Sequence, residues 1–471
     1  MCLNPCAPSV GRVLSRLRRR YVKHASLVER CFPAERADDA APSSNELSYL
    51  VYYAQSKPAK LTKVGAHLSR RIGRDAQRRR WTDVLVGLLI FDALLDACGR
   101  DLAFFARDVL DSLAAALAAD DPGLAPAATR TFARFCRYHS GATLAVDPAL
   151  RSLYARLTRT FVAYTQPGAD AVRIGLGLCA LQAIAESSAT YAGDYDEGLS
   201  LVVGAAVARI AAAPEPATTV PAPDPNSVAD DTVEQQITSI IQDAAPPTDA
   251  QLGCWAWHCI GTLVHRSHSQ HSRVVVAEIL WQLDRNLHWR PVPLCVRIAA
   301  TAVTQLQPHD QNMVIVEILA FLADGTFSEP LLLRSLPHDK AKPTAAVITD
   351  EDDGDGDNST SRRRRTCLIR ILEHLFCKPY VLVGVSVMEA LSVLAAVLVE
   401  SAADEDPARP DQAMLAAALH TASDAGRNAS PDLAPQLGET TTDNYHILAA
   451  IGGLARHQYY TGQLLDMARF L

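Results

Sequence analysis

The sequence has no C-x-x-C pair among its eleven cysteines and no cleavable apolar segment after the first methionine. Those two absences exclude the disulfide framework of a small secreted domain and point to a reduced, cytosolic context. The sequons at Asn358 and Asn428 then carry no meaning, because glycosylation needs secretion. No stretch sustains the period-two alternation of a half-buried strand, so β-sheet drops out of the expected fold. Missing as well are a P-loop, a GxGxxG after a strand pattern and an HExxH. Ser200 and Ser386 each follow a glycine by two positions, but Val202 and Met388 stand where a nucleophile elbow needs its second glycine to permit the strained turn. An enzymatic reading has no residues to rest on.

Two further absences need weighing. Tyr380–Val399 is long enough to span a membrane, but Glu389 interrupts it at mid-length. A central acid costs about 2.5–3.5 kcal/mol of insertion, and helices buried inside a helical array are equally apolar, so a buried helix is expected. Cys254, His258, Cys259, His265, His268 and His271 crowd one region, yet the histidines lack the paired spacing of a structural zinc site. Trp255 and Trp257 beside them point to packing, and neither a metal nor another cofactor is expected.

What is present is an uneven distribution of charge. The chain holds 45 Lys and Arg against 52 Asp and Glu, a net −7, while residues 1–80 alone carry seventeen basic and six acidic residues. A basic end facing an anionic surface and an acidic body facing water or partners is the arrangement such asymmetry implies. From Val10 the apolar Val13, Leu14, Leu17, Tyr21 and Val28 fall on one side of a helix, with Arg12, Arg16, Arg19, Lys23 and Arg30 on the other. That pattern is shared by interfacial helices and mitochondrial presequences. Cys2 and Cys6 sit in the polar, proline-containing tip before it, where S-acylation is expected.

The chain is organised around residues 43–81. Ser43 and Glu46 have capping-box spacing, so a helix is predicted from about Glu46, apolar and aromatic nearly all round through LSYLVYYA and covered on more than one side. Pro58 opens a second helix, in which Leu61, Val64, Leu68 and Ile72 form one stripe while Lys63, His67, Arg70 and Arg74 face the other way. Between Lys57 and Arg80 there are nine Lys or Arg and one acid, Asp75. A face needed only for solubility interleaves both signs, so this one is expected to bind something anionic.

The run from Lys23 through CFP at Cys31–Pro33, then SSNELSYLVYYA, then KLTKVGAHLSRRIGRD, resembles the N-terminal signature of the eighty-five-requiring (Rolling blackout) proteins. The likeness is clear from Lys23 to about Ala97 and weaker over Thr131–Leu157. It implies a peripheral plasma-membrane anchor on the cytosolic face that recruits a phosphatidylinositol 4-kinase complex. The implied partners are acidic phospholipids, a tetratricopeptide-type adaptor and the kinase catalytic subunit, with no nucleic acid. Lipid contact is expected from Arg12, Arg16, Arg19, Lys23, Lys57, Lys60, Lys63, Arg70 and Arg74. The rival readings are a nucleic-acid or organelle-targeted helical-repeat protein, disfavoured because the basic face is poor in aromatics for stacking, and a lipase, disfavoured for want of a nucleophile. Family members carry a longer C-terminal part that engages the tetratricopeptide partner, and the helical pattern here runs to Leu471.

Beyond residue 81, apolar-periodic segments follow one another and pair into units of about 40 residues, the period of armadillo or HEAT-like repeats. The predicted fold is an all-α, right-handed helical-repeat solenoid rod. Its expected parts are a basic amphipathic extension (1–31), an N-terminal rod (32–213), a Pro- and acid-rich insertion (214–247) with helical pattern resuming at 232–242, further repeats (248–336), an acidic and basic loop (337–365), and C-terminal helices (366–471) with a loose segment near 402–441.

Overall fold

The computed structural model describes residues 23–33, 41–191, 196–213, 232–242, 246–267, 270–285, 287, 289–307, 310–324, 356–377, 386–403 and 439–456. All regular structure among them is helical. The chain divides into two compact units, Met1–Ala205 with Asn226–Cys259, and Ala206–Pro225 with Ile260–Leu471.

The first unit holds α1 (Lys23–Cys31), α2 (Ser44–Ser56), α3 (Leu61–Gln77), α4 (Trp81–Cys98), α5 (Ala106–Leu117), α6 (Leu124–Tyr138), the short α7 (Gly141–Val146), α8 (Pro148–Tyr164), α9 (Ala171–Glu186), most of α10 (Asp196–Ala212), α11 (Thr232–Gln242) and the start of α12 (Asp249–Arg266). They pack in two rows. One runs α2, α4, α6, α9, each against the next, with α11 resting on α6 and α9; the other runs α1, α3, α5, α8. Helices alternate between rows, so each repeat is a helix pair and buries its faces only against its neighbours.

The rows differ as their sequences do. In α9, every residue from Ile174 to Ala185 is buried, and α4 hides Val84, Val86, Leu88, Ile90, Phe91, Leu94 and Leu95. By contrast α3 buries one apolar stripe, Leu61, Val64, Leu68 and Ile72, with Gly65 and Asp75, and exposes Thr62, Lys63, Arg70, Arg74 and Gln77. Between α6 and α8 the core is aromatic: the Phe132 and Phe161 rings are 4.8 Å apart and those of Phe132 and Tyr154 are 5.8 Å apart. Local signals set the helix starts. Pro148 and the Asp147 side chain, which accepts from Ala149 N at 2.9 Å and Leu150 N at 3.2 Å, open α8, and Asp170 caps α9 through Arg173 N at 2.6 Å.

The second unit carries α13 (Gln270–Arg285), α14 (Val292–Gln305), α15 (Asn312–Asp324), α16 (Gly356–Phe376), α17 (Val387–Ala403) and α18 (Glu439–Arg456). Its packing repeats the two-row rule, with α13, α15 and α17 in one row and α14, α16 and α18 in the other.

Several sequence expectations change. Ser43 makes no side-chain cap; its backbone N–H, which Glu46 would take in a capping box, donates instead to Cys31 O at 2.9 Å. Helix α2 is covered on more than one side, by α1 and α4, but its aromatic pattern does not bury all round, since Tyr49 and Tyr52 stand in solvent. Residues 23–31 of the expected extension are part of the fold, since Val28 is fully buried where α1 meets α2 and α3. Thr232–Gln242, within the expected insertion, packs into the first unit, whereas 214–231 lie outside the described residues. Helix α16 starts at Gly356, inside the stretch read as a loop. Its Arg364 reaches Asp284 at 2.5 Å and lies over the Phe321 ring at 5.3 Å, so this arginine is drawn into the unit rather than neutralised within a loop.

Of the candidate membrane span, residues 378–385 lie outside the described residues, and Val387, Ala390, Leu391, Leu394 and Val397 face the unit's core. Among the described residues no helix is long and apolar enough to cross a membrane, and no group of His, Cys, Asp and Glu has the placement of a metal site. Cys254 is exposed while Cys259 and Trp257 are buried, and His268 lies outside the described residues.

Candidate lipid-binding face

Helix α3 supports the basic face because its apolar stripe fixes its rotation. With Leu61, Val64, Leu68 and Ile72 buried, Lys63, Arg70 and Arg74 must point outward, and they are exposed. A 3-10 turn, Pro58–Lys60, leads into the helix and leaves Lys57 and Lys60 exposed as well. Gly87 lets α4 lie close beneath: a Cβ there would come within 2.5 Å of Ile72 Cγ1.

Tertiary packing adds α1 to this face. The cations Lys63, Lys60 and Arg70, with His67, lie near enough to His24 to hold its pKa below the ordinary histidine value, after burial as the larger cause. Lys23, the first residue of α1, directly precedes His24. The structure thus brings together Lys60, Lys63, Arg70 and the start of α1, with Arg74 one turn further along. Arg12, Arg16, Arg19, Cys2 and Cys6 lie outside the described residues.

The arginines of the run have separate roles. Arg71 is turned inward, paired with Glu29, 3.4 Å from Asp75 Oδ2 and stacked 3.4 Å from the Phe32 ring centroid. Arg80 shares Asp75 at 3.7 Å. Lys57, Lys60, Lys63, Arg70, Arg74, Arg78 and Arg79 are exposed, and among the described residues no carboxylate lies within ion-pair distance of them. Among the described residues Arg70 and Arg74 donate along their own helix, to Ala66 O at 2.8 Å and Arg70 O at 3.2 Å. Asp108 on α5 approaches from beneath; burial, aided by Asp111, pushes its carboxyl up to about 6 against the pull of Arg107 and Arg70.

Sequence reasoning missed two features. Glu29 is the face's internal counter-charge: His67 Nε2 meets its Oε1 at 2.9 Å and Arg71 its Oε2. It lies 38 and 42 residues from those partners, and only its place next to buried Val28 hints that it edges the α1 interface. The second feature is aromatic. Tyr49 and Tyr52 are 64% and 72% exposed and Phe104 is 46% exposed, so the basic end is less poor in accessible rings than its sequence implies.

The comparisons bear on this same part of the chain. Residues 23–184 match the model of the EFR3 protein family. Protein EFR3 of Yarrowia lipolytica is 35% identical over 170 residues, covering 36% of this chain and 20% of that protein. Protein EFR3 of Pyricularia oryzae is 38% identical over 141 residues, 30% of this chain and 12% of that one. Protein EFR3 of Chaetomium globosum is 36% identical over 197 residues, 38% and 16% of the two chains. The aligned stretches thus span a fifth or less of those relatives' own length. A crystal structure of Efr3 matches 95% of this chain and 75% of its own with a TM-score of 0.55 at 15% identity, which shows a shared helical-repeat fold. The family resemblance read from the motifs at Lys23–Ala97 therefore holds across residues 23–184, and beyond them the likeness is one of fold.

Proposed function

We propose that this chain is a non-catalytic peripheral membrane scaffold. It binds acidic phospholipids of the plasma membrane's cytosolic leaflet through the face built by α3 and the start of α1, and it recruits a phosphatidylinositol 4-kinase complex there. The observation that supports this reading most is the outward set of Lys57, Lys60, Lys63, Arg70 and Arg74, uncompensated among the described residues. Each such residue near an anionic leaflet contributes about 1 kcal/mol, so several suffice for reversible attachment without a head-group pocket. The similarity of residues 23–184 to the EFR3 proteins supports the scaffold role, and the kinase catalytic subunit and a tetratricopeptide-type adaptor are the partners in this proposal.

Arg12, Arg16, Arg19 and Lys23 extend the same face in the proposal, and acyl chains on Cys2 and Cys6 add a second anchoring signal, since one chain alone holds only marginally. Acyl-biotin exchange on the purified protein reads that modification; no label at either cysteine removes the lipid chain and leaves the electrostatic half standing. Imaging a tagged full-length chain in living cells tests the whole reading. Signal at the plasma membrane, lost when Lys57, Lys60 and Lys63 become Glu, supports it. A mitochondrial or nuclear location refutes it in favour of an organelle-targeted or nucleic-acid-binding protein.

A further inference from the structure

We infer that Tyr49, Tyr52 and Phe104 form an aromatic rim beside the basic face that enters the head-group layer of an anionic leaflet, giving attachment a salt-resistant component. The inference rests on the lipid-binding reading above and adds to it the part of the surface that goes below the phosphates.

In a two-row array each helix is covered by its neighbours before and after, but among the described residues α2 begins its row. Its buried residues, Leu50 and Ala54, face inward, and the outer ridge of Asn45, Ser48, Tyr49, Tyr52, Gln55 and Ser56 is exposed. Apart from the two tyrosines this ridge is small or neutral and polar, and it carries no charge until Lys57. Tyr49 and Tyr52 lie three residues apart, so their rings project from the same side of the helix. The third ring comes from another element. The 3-10 turn Gly99–Phe104, between α4 and α5, packs against the Pro58–Lys60 turn, and Gln55 Nε2 donates to Ala97 O at 3.2 Å, tying the end of α2 to the end of α4. Phe104 therefore projects beside the corner where Lys57 and Lys60 are exposed.

The chemistry suits one partner. A tyrosine presents an apolar ring and a polar hydroxyl, the combination favoured at the level of lipid head groups, and phenylalanine goes deeper. Lysines at the edge supply the attraction to anionic phosphates that brings the rings to the surface. Single-stranded nucleic acid wants aromatics interleaved with cations along a groove. Here the rings stand on a convex ridge and the cations beside it, which matches a deformable leaflet better.

The test uses the full chain and vesicles of phosphatidylcholine with phosphatidylserine, at about 0.1 M and about 1 M salt, between which screening shortens the Debye length from about 10 Å to about 3 Å. The expected result for Tyr49→Ser, Tyr52→Ser and Phe104→Ser together is intact helical circular dichroism, binding weakened about tenfold at low salt, and loss of the fraction wild type retains at high salt. Tyr52→Trp alone should tighten binding, and should it fail to, the inference is overturned whatever the fate of the triple variant's fold. Equal binding by wild type and the triple variant at both salts overturns the rim and leaves the basic face standing. No binding by wild type overturns both. A triple variant that binds vesicles normally but loses self-association in sedimentation, or loses binding to single-stranded RNA, assigns the ridge to a second copy or to nucleic acid and overturns the inference.

Discussion

Replacing Glu29 by Gln should strengthen attachment to anionic membranes, a gain that the sequence alone gives no reason to expect. Glu29 is the acid that α1 contributes to the basic face, where it holds His67 at 2.9 Å and also pairs with Arg71. Removing its charge leaves one more positive unit on the face and releases His67 and one side of Arg71. Arg71 keeps Asp75 at 3.4 Å and its place over Phe32, so the packing of α1 on α3 survives. Pairs as exposed as Glu29 contribute about 0–1 kcal/mol to stability, which bounds the structural cost. One charge near the leaflet is worth about 1 kcal/mol, or about fivefold in affinity, and Glu29→Lys, a change of two units, about 25-fold. Co-sedimentation with phosphatidylserine vesicles over a lipid titration measures this at about 0.1 M salt, and at about 1 M the gain should vanish with screening. If Glu29→Gln keeps its helical circular dichroism and binds no better than wild type, the face defined by α1 and α3 is not the one that meets the membrane.

Four further outcomes concern the helical scaffold. Gly177→Ala would place a Cβ 2.9 Å from the Phe161 backbone oxygen and 2.9 Å from Thr165 Cγ2, and should lower unfolding stability by about 1–3 kcal/mol. Gly73→Ala meets nothing within 4 Å and should raise it by up to about 1 kcal/mol, both read by denaturant titration. Arg134 reaches Glu234 at 2.9 Å, Asp96 at 3.1 Å and the buried Asp92 at 3.6 Å; Arg134→Met should cost about 3 kcal/mol by taking the ion-pair partner from the buried Asp92, and Asp92→Asn should recover part of that in a double-mutant cycle. Burial lowers His139 from 6.5 to about 4, so the stabilisation from keeping it neutral is complete above pH 6.5 and is lost as pH falls through 4; chemical denaturation should show wild type losing about 3 kcal/mol more than His139→Gln across that window.

The parts of the fold legible in the sequence were those fixed by local periodicity. Leu61, Val64, Leu68 and Ile72 bury as their spacing requires, and that rotation alone turns Lys63, Arg70 and Arg74 outward. What escaped depended on contacts distant in sequence. The Ser43 N–H is claimed by Cys31 O across the segment between α1 and α2, so a locally sound capping box does not form. Arg364 reads as part of a charged loop until Asp284, eighty residues earlier, is set beside it. Glu29 and His24 join the basic face only because α1 folds back onto α3.

The decisive measurement is flotation of the full chain with phosphatidylserine vesicles, comparing wild type with Lys63, Arg70 and Arg74 together changed to Glu. The three side chains are exposed and the buried stripe of α3 is untouched, so helical circular dichroism should be preserved. Reversing three charges changes the face by six units, and at about 1 kcal/mol per unit that should weaken binding about ten-thousandfold at about 0.1 M salt. A folded triple variant that floats as wild type does at that salt would show these residues to be ordinary solvated surface and would contradict membrane attachment through α3.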